Sequence, residues 1–166
     1  LFETLTATAS DGADIVIQDL TLTGASIQSI TLTSNAANSN IDTDVIAATS
    51  LTQMTLTAAA DSTVAIGEDL DVTNIGTISA SGAGTVTLND TSNQITTLEQ
   101  VVSGVTGTFG FNGTTLSGAT TFTTSTGTNT ITVGQGSDTV NLASSGGTDT
   151  IITNGSAQAT TTIYNW

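Results

Sequence analysis

Apolar residues alternate with threonine along most of this chain, and no other feature restricts the fold as strongly. A period of two places successive side chains on opposite faces of a β-strand, so each alternating run predicts a strand with one buried face. Short strands that recur every 8–12 residues or so are typical of all-β folds. The apolar members of these runs are Leu20/Leu22, Ile30/Leu32, Met54/Leu56, Val64/Ile66, Val86/Leu88, Phe109/Phe111, Ile131/Val133, Val140/Leu142 and Ile151/Ile152.

The turns between these runs bear on which all-β fold forms. Asn112-Gly113 and Asn154-Gly155 are type I′ turn signals, which favour antiparallel hairpins at those two points. Glycine-rich corners at 82–84, 134–136 and 146–147 are instead typical of the closely stacked coils of a parallel β-helix. We therefore expect a β-solenoid, with a β-sandwich as the alternative.

One segment, Asn93 to Ser103, has helical rather than strand periodicity. Ile95, Leu98 and Val102 fall on one helical face, a capping box precedes them, and a glycine follows. The sequence therefore predicts a helix there. The whole chain, residues 1–166, is expected to form a single all-β domain, and a change in composition places any internal boundary near residue 104.

The charge composition excludes several classes of function. The chain has no Lys, Arg or His, and its 14 acidic residues give a net charge of −14. Nucleic acids and anionic membranes are bound through Lys and Arg, so neither is an expected partner. Without His, Cys or Lys, a Ser-His-Asp triad, a thiol nucleophile, a Schiff base and a conventional zinc site are all excluded. We expect a protein that is not an enzyme and does not insert into a membrane.

A glycine-rich segment, residues 127–152, carries the clearest chemical signal. Gly134, Gly136, Asp138 and Val140 occupy four of the five fixed positions of the nonapeptide G-G-x-G-x-D-x-U-x, with Val133 at the first. Degenerate copies lie on either side, at Gly127-Thr-Asn129-Thr-Ile131 and Gly147-Thr-Asp149-Thr-Ile151. The glycines permit a tight turn, and the apolar residue enters the core.

This segment resembles the calcium-binding repeats of secreted RTX proteins, and the wider chain resembles bacterial surface-layer and related cell-surface proteins. The resemblance implies an extracellular protein that folds when it meets calcium and polymerises into a lattice. It also implies calcium bound between successive turns by carbonyl and carboxylate oxygens. Plain turns in which Asp caps the backbone are the alternative. The implied ligand positions are Asn129, Gly134, Gly136, Asp138, Gly147 and Asp149.

Other acidic residues could bind a cation. Asp14 lies in a further G-x-D-x-U pattern, Asp42 and Asp44 alternate with Asn38 and Asn40, and Asp69 and Asp71 cluster with Glu68. The run from residue 38 is not an EF-hand loop, because its sixth position is not glycine and Thr49 replaces the closing Glu. Like-charge repulsion within such clusters is relieved by a cation. Solvated acidic surface is the alternative in each case.

These features together favour a structural, extracellular protein: a self-assembling surface-layer or fibre subunit that forms a homopolymer with calcium. The alternative is a binding module, either an adhesin that binds cell-surface polysaccharide through calcium or an ice- or glycan-binding β module. The second is suggested by Thr-x-Thr triplets at 21–23, 31–33, 55–57 and 85–87. Their intervals of 10, 24 and 30 residues are too irregular to match a lattice directly.

Overall fold

The computed structural model describes residues 3–22, 27–91, 95–153 and 160–165. These residues form 15 β-strands and no helix, and so no helix among them could span a membrane. The strands are β1 (Glu3–Ala9), β2 (Ile15–Leu22), β3 (Ile27–Ser34), β4 (Asn40–Ala48), β5 (Gln53–Ala58), β6 (Thr63–Asp71), β7 (Asn74–Gly82), β8 (Thr85–Asn89), β9 (Thr97–Val105), β10 (Thr108–Asn112), β11 (Thr121–Thr123), β12 (Thr128–Thr132), β13 (Thr139–Asn141), β14 (Thr148–Ile152) and β15 (Thr162–Tyr164).

The strands belong to two parallel sheets. The eight odd-numbered strands form sheet A and the seven even-numbered strands form sheet B, each in chain order. Every strand pairs in parallel with the strand two places along the chain, so one coil contributes one strand to each sheet. This winding is a β-solenoid, as the sequence predicted, and the antiparallel sandwich alternative is wrong.

Coil length varies along the chain while most strand pairs stay in register. It is 26 residues between β2 and β4, 18 between β11 and β13, and 23 between β13 and β15. Thr57 and Ser81 are neighbours on adjacent coils and 24 residues apart, whereas Thr120 and Asp138 are neighbours only 18 residues apart. The turns absorb this difference, because the hydrogen-bond ladder of each sheet requires strands of adjacent coils to stay aligned.

The core lies between the two sheets, and each strand supplies it with alternate side chains. Phe111 and Phe122, from opposite sheets, pack with ring centroids 5.4 Å apart. Burial of such side chains contributes about 1.5–3 kcal/mol each. The alternation predicted from sequence is confirmed at Ile30, Leu32, Met54, Leu56, Val64, Ile66, Val86, Leu88, Phe109, Ile131 and Val140, all of which are buried.

The helix predicted from Asn93 to Ser103 is wrong over its described part. Residues 97–105 form β9, which pairs in parallel with β7 and β11. Leu98 and Val101 are buried, but Val102 points outward and is half-buried. Strand pairing on both sides outweighs local helix propensity here. Asn93 itself lies outside the described residues.

The hairpin predicted at Asn112-Gly113 is also wrong. Asn112 ends β10, and β10 pairs in parallel with β8 and β12. The Asn112 side chain instead organises a coil corner, since its Oδ1 accepts hydrogen bonds from the Thr114 N–H (3.3 Å) and hydroxyl (2.6 Å). The second predicted hairpin, at Asn154-Gly155, lies outside the described residues.

Glycines stack on one another where the chain turns from sheet A to sheet B. A Cβ added at Gly127 would lie 2.5 Å from the carbonyl oxygen of Gly107, and one at Gly147 would lie 2.6 Å from that of Gly127. A Cβ at Gly107 would meet the Gly84 carbonyl in the same way. Successive coils therefore approach too closely at this edge for any side chain.

We expect Gly127→Ala to lower the free energy of unfolding by roughly 2 kcal/mol, because the new methyl group forces two coils apart. Gly104→Ala is the matched control, since its Cβ would meet nothing closer than the Ala80 carbonyl oxygen at 3.4 Å. Urea denaturation measures both. Equal losses would contradict the close approach of the coils at Gly127.

Among the described buried polar residues at inward positions, Thr43 differs because its hydroxyl is not satisfied. Thr43 pairs with Ile17 and Ile66, is fully buried, and has a hydroxyl with no hydrogen-bond partner among the described residues. A buried hydroxyl without a partner costs free energy that an apolar side chain of the same shape does not.

Thr43→Val should therefore raise the free energy of unfolding by about 1 kcal/mol. Thr87→Val on the outer face of β8 should change it little, because that hydroxyl is accessible to water. Thermal unfolding of both variants checks this, and a destabilised Thr43→Val variant would show that the hydroxyl has a partner.

Candidate cation site

Asp138 accepts backbone hydrogen bonds both from within the RTX-like turn and from the preceding coil. This residue is 1% exposed, its Oδ1 accepts a hydrogen bond from the Thr120 N–H (2.9 Å), and its Oδ2 accepts one from the Gly134 N–H (3.1 Å). Burial raises the pKa of Asp138, and the two backbone hydrogen bonds oppose that rise. Each carboxylate oxygen thus accepts a hydrogen bond from a backbone N–H, which is the arrangement of the alternative in which Asp caps the backbone.

The glycines of the same turn serve coil packing. A Cβ on Gly134 would meet the carbonyl oxygen of Leu116 from the preceding coil, and one on Gly136 would meet the carbonyl oxygen of Gly118. Their place in the nonapeptide pattern is explained by this close approach between coils.

The three copies of the motif do not share one edge of the solenoid. Asp138 lies in a turn that leads from sheet B to sheet A, while Asn129 and Asp149 pair on sheet B just after turns in the other direction. Asn129 is fully buried and donates from Nδ2 to Asp149 Oδ1 (2.9 Å) and to the Gly127 carbonyl (3.2 Å). An amide group therefore partners the Asp149 carboxylate.

Asp14 is partnered in the same way. Its Oδ1 accepts hydrogen bonds from the Asn40 N–H (3.1 Å) and from Asn40 Nδ2 (2.9 Å). The Asn40 side-chain oxygen then accepts from the Thr63 N–H (3.0 Å) on the next coil. This ladder of polar contacts stabilises the corner through amide donors.

The other predicted acidic residues come together on one surface, along with Asp19, which the sequence did not single out. Three adjacent strands of sheet B, β2, β4 and β6, carry six of the 14 carboxylates. Pairing aligns Asp19 with Val45 and Val45 with Asp69, so charges from different coils approach one another. We call this surface the acidic face; it consists of Asp19, Asp42, Asp44, Glu68, Asp69 and Asp71.

A β-bulge lies at the centre of the acidic face. The register of β4 and β6 shifts between Thr43 and Val45, so Gly67 and Glu68 together oppose Asp44. Bulges redirect side chains and are frequent at functional sites.

Gly67 leaves a gap between two of these carboxylates. The position of a Cβ on Gly67 is 3.8 Å from Asp42 Oδ1, 3.9 Å from Asp44 Oδ1 and 4.0 Å from the Thr43 carbonyl oxygen. These donors are all oxygens, as calcium requires, and Asp42 is exposed to solvent. The described part of the chain contains no group of three or more acidic side chains placed to hold a metal ion. A cation bound here would therefore take Asp42, Asp44 and the Thr43 carbonyl oxygen, with water completing the shell.

Sequence reasoning also missed Asp90, a buried carboxylate. It is 1% exposed at the end of β8, its Oδ2 accepts a hydrogen bond from the Thr115 hydroxyl (2.7 Å), and its Oδ1 has no partner among the described residues. Burial raises the pKa of Asp90 to about 6, the Thr115 hydrogen bond opposes this, and the charge of Asp69 adds to it. No local pattern marks Asp90 as buried, because its burial depends on the following coil.

Comparisons with protein-family models, with curated proteins and with solved structures found no match for this chain. Its function is therefore argued from the geometry of its surfaces.

The raised pKa of Asp90 predicts a pH dependence of stability. The Asp90 carboxyl binds a proton more tightly in the folded chain than in the unfolded chain, where its pKa is near 3.8. Its contribution to the free energy of unfolding is therefore complete below about pH 4. It is lost as the pH rises through about 6, and the loss is at most about 3 kcal/mol. Asp90→Asn should flatten the decline in unfolding free energy between pH 4 and pH 6.

Asp61→Asn is the control, because it removes one charge from an exposed turn where Asn tolerates the φ of 57°. Urea denaturation across the pH series measures both slopes. A slope in Asp90→Asn equal to that of the unmodified protein would rule out Asp90 as its source.

Proposed function

We propose that this chain is a structural part of an extracellular surface layer or fibre, in which calcium on the acidic face holds copies of the chain together. The observation that carries the proposal is the placement of six carboxylates on three adjacent strands of a protein without a single basic residue. The protein is not an enzyme in this proposal, and its partner is a second copy of itself.

Charge balance supports the role of the cation. Two like charges 4 Å apart repel by about 1 kcal/mol in water, and by more where solvent is partly excluded. Two acidic faces would repel each other for the same reason. A divalent cation shared between them reverses the sign of the interaction, so assembly should require calcium.

The regular stack supports the structural role. All described strand pairs are parallel, and the core runs without interruption from coil to coil. The calcium proposed here lies at Asp42 and Asp44, away from the turn that Asp138 closes.

The test is electron microscopy of the purified chain in calcium and in EGTA, with bound calcium measured by elemental analysis. We expect ordered filaments or sheets in calcium and dispersed particles in EGTA. Dispersed particles in both buffers would contradict assembly, and ordered assemblies free of calcium would contradict the role of the cation.

Variants locate the site. Asp42→Asn/Asp44→Asn should reduce both bound calcium and assembly, because it removes the two carboxylates beside Gly67. Asp11→Asn/Asp61→Asn removes the same charge from two exposed turns, where both residues have a φ of 57° that Asn also adopts, and should leave assembly unchanged. An equal loss in the two double variants would show that only net charge matters.

A further inference from the structure

The outer face of sheet A carries two parallel ranks of hydroxyl groups. Strand pairing aligns one rank across β1, β3, β5 and β7, and the second rank lies two residues further along each strand. We call this surface the hydroxyl face; its ranks are Thr6, Thr31, Thr55 and Ser79, and Thr8, Thr33, Thr57 and Ser81.

The spacing of these hydroxyls is set by the sheet. Neighbouring strands lie roughly 4.8 Å apart, and alternate residues of one strand lie about 6.6 Å apart, so the ranks form a two-dimensional grid. The irregular intervals of the Thr-x-Thr triplets concealed this grid. Triplets 31–33 and 55–57 are direct neighbours on sheet A, whereas 85–87 belongs to β8 on sheet B.

Most of the hydroxyls on this face are free to bond outward. Thr57 Oγ1 and Ser81 Oγ are 3.1 Å apart and hydrogen-bond to each other. The remaining six hydroxyls have no protein partner among the described residues, and each threonine also presents a methyl group beside its hydroxyl.

The face is neutral and lacks aromatic side chains. The strands of sheet A contain only two acidic residues, Glu3 and Glu99, and neither stands in the two ranks. An ionic ligand therefore finds no counter-charge there. Among the described residues of sheet A, the exposed aromatic ring is that of Tyr164 on β15, four strands away from β7, so a sugar on the hydroxyl face has no ring to stack on.

We propose that the hydroxyl face binds the surface of ice. Ice presents water oxygens at fixed, repeated spacings, and a rigid grid of hydroxyl and methyl groups can match such a surface without losing conformational entropy on binding. Sheet B carries one unbroken outward rank, which consists of Thr63, Thr85, Thr108, Thr128 and Thr148. The rank two residues further along, which includes Thr87, is interrupted by Asp42, Ala65 and Gly110, so sheet B lacks the second rank of a grid.

The test measures thermal hysteresis and the partition of the full chain into a slowly growing ice hemisphere. We expect the unmodified protein to enter the ice and to show hysteresis. Thr55→Tyr places a bulky ring in the middle of the first rank and should at least halve both signals, and Thr33→Lys should do the same from the second rank. Thermal unfolding checks that each variant remains folded.

Thr87→Tyr is the matched control, since Thr87 is an outward, half-buried threonine on sheet B. It should retain both signals. Exclusion of the unmodified protein from ice would overturn the proposal, and so would an equal loss in Thr87→Tyr. Binding to microcrystalline cellulose or chitin, without entry into ice, would identify a crystalline polysaccharide as the partner instead and would also overturn it.

Discussion

In-register stacking of parallel strands is the constraint on which the rest of this structure depends. Each inward side chain lies against its equivalent on the next coil, as in the column that contains Ile30, Met54, Ile78, Val101 and Phe122. The backbone ladder fixes that alignment, and the same ladder aligns the outward residues. A residue type that recurs once per coil therefore becomes a continuous line on the surface or in the core.

The absence of basic residues divides the carboxylates into two groups. At the turns, amide groups take the place of cations: Asn40 donates to Asp14, Asn129 donates to Asp149, and backbone N–H groups donate to Asp138. Charge-assisted hydrogen bonds of this kind are stronger than neutral ones. The acidic face has the larger share of the remaining charge, and an external cation is the partner proposed for it.

The two sheets thus give the solenoid two chemically different surfaces. Sheet A presents neutral hydroxyl groups at regular spacing, and the early strands of sheet B present clustered carboxylates. A divalent cation is the proposed partner of the second surface, and ice is the proposed partner of the first. Because the two surfaces belong to opposite sheets, one chain could assemble through its acidic face while its hydroxyl face stays accessible.

The sequence alone determined that the chain is all-β, which side chains enter the core and where coils turn closely, because alternation and glycine placement act within a few residues. It did not determine the strand at 97–105, the separation of Asp138 from Asn129, the burial of Asp90 or the grid that joins Thr31 to Thr55. Each of these depends on which residues of the next coil lie opposite. Coil length varies between 26 and 18 residues, so only the completed hydrogen-bond ladder decides that alignment.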